Sequence, residues 1–233
     1  SIEHDETVTL ALDSLSEQAR LRTFQTLARN GTLVTPTLIT DYASNLTPDS
    51  VALAIIADSE GTRTIGRKYV AERTISLWRL GIELKQKYQD STDRHAQHRR
   101  QVEDMRLAPR AGVRFMAGTD VGGVPGIYPG FALHDELKLL VDEVGMTPLE
   151  ALRSAIQIPP TFFSNVGDVG GIKAHAMADL VLLDANPLED IRNTRRIRAV
   201  ALGGRLLQRT DLDAVLEGIA TAVKERTGCA AER

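Results

Sequence analysis

The apolar run Val113, Phe115, Met116 and Ala117 stops at Gly118-Thr119-Asp120, and Gly122-Gly123 follow almost at once. A run this short and this apolar reads as a strand buried on both faces, the pattern of a parallel sheet covered by helices. The glycines supply a tight exit. Asp120 is therefore expected at the carboxyl end of a buried strand. In α/β barrels that end carries the catalytic groups, because the loops there enclose the substrate while the strands hold them rigid. A carboxylate so placed can bind a metal or accept a proton. An Asp just ahead of glycines is also a common turn former that caps the next segment.

Along the chain, apolar runs alternate with helical periodicities, the order expected of βα units. Ser14 and Glu17 fit a capping box ahead of a stripe of Leu21, Phe24, Leu27 and Ala28, closed by Asn30-Gly31. Residues 32–38 read as a strand whose end is marked by Pro36, which cannot donate to a ladder. Residues 48–107 are charged and mostly helical, with Trp78, Leu80, Ile82 and Leu84 among the few large apolar groups. The segment is too long for a simple connection and predicts an extra helical layer or lid.

Leu133, Leu137, Leu140, Val141 and Val144 mark one helical face, ended by Gly145. Thr147-Pro148-Leu149-Glu150 starts a further helix, with Leu149, Leu152 and Ile156 as its expected buried stripe and Pro159-Pro160 as its stop. Gly167, Gly170 and Gly171 then break any helix. Residues 178–184 read as a strand, and 197–208 as a hairpin turning on Gly203-Gly204. A last helix carries Leu212, Val215, Leu216, Ile219 and Val223. The expected division is 1–165, 166–210 and 211–233.

With 42% hydrophobic and 25% charged residues among 233, the chain has the composition of a globular protein able to bury a substantial core. A net charge of −3 gives no electrostatic case for nucleic acid or an anionic membrane, and no apolar stretch approaches a membrane span. The single cysteine, Cys229, excludes an internal disulfide. The opening Ser1-Ile2-Glu3-His4-Asp5 shows neither an initiator Met nor a signal-peptide pattern. The true N-terminus is expected to lie upstream of Ser1, so this absence does not itself assign a location; the cytoplasm is the expected one.

Several of these segments resemble the amidohydrolase superfamily, specifically its imidazolonepropionase-like and prolidase-like members. Ser1-Ile2-Glu3-His4 resembles the end of that family's sixth barrel strand, Val34-Thr35-Pro36-Thr37-Leu38 the seventh, and Ala117-Gly118-Thr119-Asp120 the eighth. The stretch from Leu133-His134-Asp135-Glu136-Leu137 to Thr147-Pro148-Leu149-Glu150-Ala151-Leu152 resembles the helices that follow. Residues 178–188 resemble the strand that returns to a small β-sandwich. Order and spacing carry the likeness, which covers almost the whole chain except much of 45–107 and the last helix. It implies an α/β fold, the C-terminal part of a (β/α)8 TIM-type barrel with a segment of a small β-sandwich domain.

The resemblance also implies a divalent metal centre, one or two ions and most often zinc, that hydrolyses a C–N bond in a small cyclic amide or a dipeptide-like amide. Its ligands in the family are a His-x-His pair, a carboxylated Lys or a Glu, two further His residues and the eighth-strand Asp. His4 and Asp120 match metal positions, and Asp120 is also the implied catalytic group. It would accept the proton of the metal-activated water and deliver it to the leaving nitrogen.

None of the five histidines, His4, His95, His98, His134 and His175, forms a His-x-His pair. Two ligands fall short of the three a catalytic zinc normally has. The expectation is the C-terminal half of an enzyme, inactive by itself and needing the missing N-terminal half or a homo-oligomer. The alternative is a non-catalytic remnant, or a split half working only with a complementary chain. By position, His134, Thr37 and Tyr128 are candidates for substrate contact, His134 reading equally well as a helix-start histidine. His95 and His98 stand among Arg94, Arg99 and Arg100 and read as a solvated basic face, and His175 as exposed.

Overall fold

In the computed structural model, which describes residues 1–88, 93–163 and 166–231, the chain folds as an α/β protein with two small sheets. β1 (Ile2–Glu3) leads into α1 (Asp5–Leu12) and α2 (Glu17–Arg29), and β2 (Leu33–Thr35) into α3 (Leu38–Asp41) and a π-helical turn, Tyr42–Leu46. Then come α4 (Asp49–Ala57), a 3-10 turn at Ile65–Tyr69, α5 (Glu72–Lys87), α6 (Arg94–Arg110) and β3 (Arg114–Phe115). Three helices follow: α7 (Ala132–Asp142), α8 (Pro148–Ile156) and α9 (Pro159–Phe162). The strand order is β1-β2-β3, all parallel, with Glu3 opposite Thr35 and Val34 opposite Phe115. That register brings the three carboxyl ends to one edge of the sheet.

The central strand β2 is buried along its whole length, whereas Glu3 of β1 and Arg114 of β3 are exposed. Val34 and Phe115 pack with Phe24 of α2, Met105 and Ala108 of α6, Leu140 of α7 and Ala151 of α8. A second core joins Ile56 of α4, Ile75, Trp78 and Ile82 of α5, Val70 and Tyr128. It makes residues 49–87, part of the 48–107 segment, a helical layer of their own, as the length of that segment predicts.

Local signals resolve in detail. Ser16, not Ser14, caps α2, its hydroxyl accepting from the Ala19 amide, because α2 begins two residues later than the Ser14-Glu17 spacing implies. Thr147 and Glu150 form the expected capping box on α8. The stripe expected on that helix is right only at Leu152, which packs against the core. Leu149 and Ile156 are 43% and 50% exposed, and Ala151 and Ser154 are the buried positions. Small residues let α8 lie close to the sheet, where Ser154 O accepts the Ala117 amide at 3.1 Å. Pro159-Pro160 follow the end of α8, but they also open α9.

The second sheet contains β4 (Leu180–Leu183), β5 (Ile197–Leu202) and β6 (Arg205–Gln208), antiparallel in that order, with a 3-10 turn at Ile191–Arg195 before β5. Gly203 and Gly204 both take positive φ, 56° and 76°, as a tight two-residue hairpin turn requires. Leu180, Val181 and Leu182 are 41%, 57% and 57% exposed. Successive residues of a strand face opposite ways, so both faces of β4 stand open. α10 (Arg209–Ala231) follows, Arg209 reaching back to the Ile197 carbonyl at 3.0 Å. Among the described residues, no helix is long and apolar enough to cross a membrane.

Candidate functional site

Four non-glycine residues adopt positive φ among those described, and three of them lie beyond the carboxyl ends of the three parallel strands, one, two and five residues on: His4 at 69°, Thr37 at 54° and Asp120 at 43°. Such conformations cost about 1–3 kcal/mol each and persist only where the surroundings over-determine them, as they do at functional sites. Asp tolerates the left-handed region. A β-branched threonine does not, so Thr37 is the most strained of the three. The fourth, His175, is exposed, as expected.

The ends of β1 and β2 are tied together. The His4 amide donates to Thr35 O and the Asp5 amide to Pro36 O, each at 2.9 Å, so the β1–β2 ladder continues past the strands. The Thr37 hydroxyl donates to Pro36 O at 2.7 Å, and Thr37 Oγ1 lies 2.9 Å from His4 Nδ1. With its one proton committed to the carbonyl, the hydroxyl accepts from Nδ1–H. This fixes the His4 tautomer and leaves Nε2 as a lone-pair donor.

Glu136 of α7 is the site residue that sequence reasoning missed. Its carboxylate is fully buried and accepts the Leu38 amide at 3.2 Å and the Ile39 amide at 2.8 Å, the first two N–H groups of α3. Burial pushes its pKa up to about 8, against the lowering influence of the two amides. One signal was available, since Glu136 lies three residues after Leu133 and one before Leu137, on the apolar stripe itself.

Asp120 is exposed at the sheet edge. Gly118 serves close packing, because a Cβ there would stand 2.5 Å from Thr35 Cγ2. The Thr40 hydroxyl of α3 donates to Thr119 O at 2.9 Å, and Trp78 Nε1 of α5 donates to Gly122 O at 3.2 Å. Beside this loop a cleft of about 330 Å³ is lined by Asn45, Trp78, Ile82, Lys85, Arg94 and Pro125 among others.

The other candidates lie elsewhere. Tyr128 belongs to the second core, its hydroxyl 2.6 Å from Thr64 Oγ1 and its pKa raised by burial. His134 Nδ1 sits 3.0 Å from Thr194 Oγ1 in the 3-10 turn before β5, and burial, then the Arg195 charge, lowers its pKa. His98 corrects the reading of a solvated basic face. It is buried with Nδ1 2.5 Å from Asp41 Oδ2, whereas His95 on the neighbouring face is exposed.

Among the described residues, no group of three His, Cys, Asp or Glu side chains is clustered so as to hold a metal ion. His4 and Asp120 nevertheless suit a share of such a site. One offers an imidazole nitrogen, the other an exposed side chain with two oxygens, and both lie beyond the carboxyl ends of strands in the same sheet.

A profile of the amidohydrolase family matches residues 1–207. Over 105 residues the chain is 34% identical to an ochratoxinase of Aspergillus niger, covering 43% of this chain and 21% of that protein. A Bifidobacterium longum protein assigned as a prolidase aligns structurally with a TM-score of 0.54 at 24% identity, over 81% of this chain and 39% of its own. A Xaa-Pro dipeptidase with methionine bound in its active site aligns with a TM-score of 0.52 at 20% identity, over 80% and 37%. At these identities the structural likeness speaks for the fold alone. The chain spans about a fifth of the curated relative and less than two fifths of the two structures.

Proposed function

The chain belongs to the amidohydrolase family, and on that footing we propose that it contributes His4 and Asp120 to the metal site of a hydrolase of C–N bonds. The substrate is a small cyclic amide or a dipeptide-like amide. The observation that carries this reading is the shared edge, where the chain leaving each of three parallel strands passes within five residues through one held at positive φ, two of these being potential metal donors.

His4 Nε2 and a carboxylate oxygen of Asp120 would hold a divalent ion, zinc in first place. Once bound, that ion would lower the pKa of a coordinated water toward neutrality. Thr37 keeps the imidazole in the donor tautomer. Asp120 takes the proton of the attacking water as its oxygen adds to the carbonyl carbon, then gives that proton to the leaving nitrogen as the C–N bond breaks. The cleft at Gly123–Pro125 takes the apolar part of the substrate against Trp78 and Ile82. The remaining donors come from strands that complete the barrel, of which β1–β3 are the C-terminal part. The β4–β6 sheet is a segment of the small β-sandwich, and its open faces support that placement.

The test is metal analysis and amide hydrolysis by the enzyme reconstituted with the rest of its barrel. Turnover should track bound metal and disappear on chelation. A metal-free protein that hydrolyses the amide equally well overturns the reading. A second reading, a non-catalytic half acting through a complementary chain, draws on the two-donor site and predicts an assembly with no turnover.

A further inference from the structure

We propose that Glu136 is the positioning residue of this site, clamping the start of α3 so that α3 sets the His4 tautomer through Thr37 and the Asp120 loop through Thr40. The inference deepens the reading of His4 and Asp120 as a metal and proton-transfer pair and rests on it.

α3 has four residues, too few to hold its own first turn. Its leading amides have no intrahelical acceptors, as at any helix start, and no side chain at the cap position serves them. Glu136 supplies both acceptors from α7, 98 and 97 residues away, one carboxylate oxygen to Leu38 N and the other to Ile39 N. With those two amides fixed, Thr37 is held left-handed, and its hydroxyl bridges Pro36 O and His4 Nδ1. From the same short helix Thr40 grips Thr119 O, one residue before Asp120. One buried carboxylate thus anchors the element from which both halves of the site are aimed. Removing an outer partner of a metal-binding histidine typically costs about 10–100-fold in metal affinity, so a clamp of this kind has functional weight.

The experiment reads the tautomer directly and involves neither metal nor substrate. Histidine-15N-labelled 233-residue chain is examined by NMR, metal-free, at a pH where the imidazoles are neutral, with His4 assigned by its loss in His4→Gln. The wild type should show His4 as the Nδ1–H form. In Glu136→Gln, with helix content by circular dichroism matched to wild type, that form should cease to dominate and the Leu38 and Ile39 amides should exchange faster. Leu140→Ala, which destabilises the same helix without touching the clamp, should leave the tautomer unchanged.

A folded Glu136→Gln chain that keeps the Nδ1–H form overturns the proposal, as does a wild type lacking it. Should Glu136→Gln fail to fold, Thr37→Val decides. The Nδ1–H form must be lost there and retained in Thr37→Ser, and its persistence in Thr37→Val overturns the proposal. A failed hydrolase assay would leave all of these results standing, so the two readings fail separately.

Discussion

His98 Nδ1 lies 2.5 Å from Asp41 Oδ2 across 57 residues of sequence, joining α6 to α3 inside the protein. Asn45 Nδ2 meets the other carboxylate oxygen at 2.5 Å, and Gln101, its amide oriented to donate, adds contacts at 2.8 and 3.2 Å. A carboxylate taken out of water is tolerated only when paired and hydrogen-bonded in this way.

Asp41→Ala removes the acceptor and strands three donors at once, two of them, His98 and Gln101, buried. The expected loss is about 1–3 kcal/mol, the range for leaving a buried donor without its partner. Urea unfolding measures it. A loss below about 0.5 kcal/mol, the range of surface substitutions, would mean that the cluster does not hold α3.

Glu136 makes stability depend on pH. Its carboxyl titrates near 4.5 when exposed and is pushed up to about 8 in the fold by burial. Between those values the folded state binds more protons than the unfolded one, so stability falls as pH rises, by up to about 1.4 kcal/mol per unit. His134 acts oppositely. Its lowered pKa means that stability is lost as pH falls below 6.5, its ordinary value. Melts of wild type and Glu136→Gln across this window separate the two. The variant should lose the decline toward alkaline pH, and an unchanged profile would contradict the burial of a titrating Glu136.

Leu182 stands 57% exposed on β4. In this chain Leu182→Ala should therefore cost no more than about 0.5 kcal/mol. If the second sheet is completed into a sandwich, the same change should cost about 2–5 kcal/mol in the assembled protein, because a cavity then replaces a buried side chain. Equal, small losses in both would show that β4 stays open.

The open faces of β4 also predict association. Leu180, Val181, Leu182 and Leu206 together expose an apolar surface of the sort that soluble monomers rarely leave bare. Light scattering on the chain alone should report self-association, and adding a complementary barrel half should suppress it. A monomer with a single cooperative melt would contradict this.

The strand ends could be read from sequence because their punctuation is chemical. Pro36 follows the last residue of β2, and Gly118 and Gly122-Gly123 bracket an acid. The helix starting at Thr147 was legible for the same reason, since its cap residues make specific bonds. His98 was not legible. It shares α6 with Arg99 and Arg100, and composition averages over faces that the fold separates. The exposed Leu149 and Ile156 show the converse limit, for periodicity marks an apolar face without saying whether anything covers it. Glu136 lay in between, an acid on an apolar stripe whose partners, Leu38 and Ile39, only the tertiary fold supplies.

Asp120 bears the account most directly. Asp120→Asn keeps the size of the side chain and its place at the sheet edge but removes the proton acceptor. The deciding measurement is kcat of this variant in the reconstituted enzyme at saturating zinc, with circular dichroism matched to wild type. The account predicts a fall of about 10²–10⁴-fold, the usual cost of losing a general base. Turnover close to wild type would contradict it and leave Asp120 a turn residue.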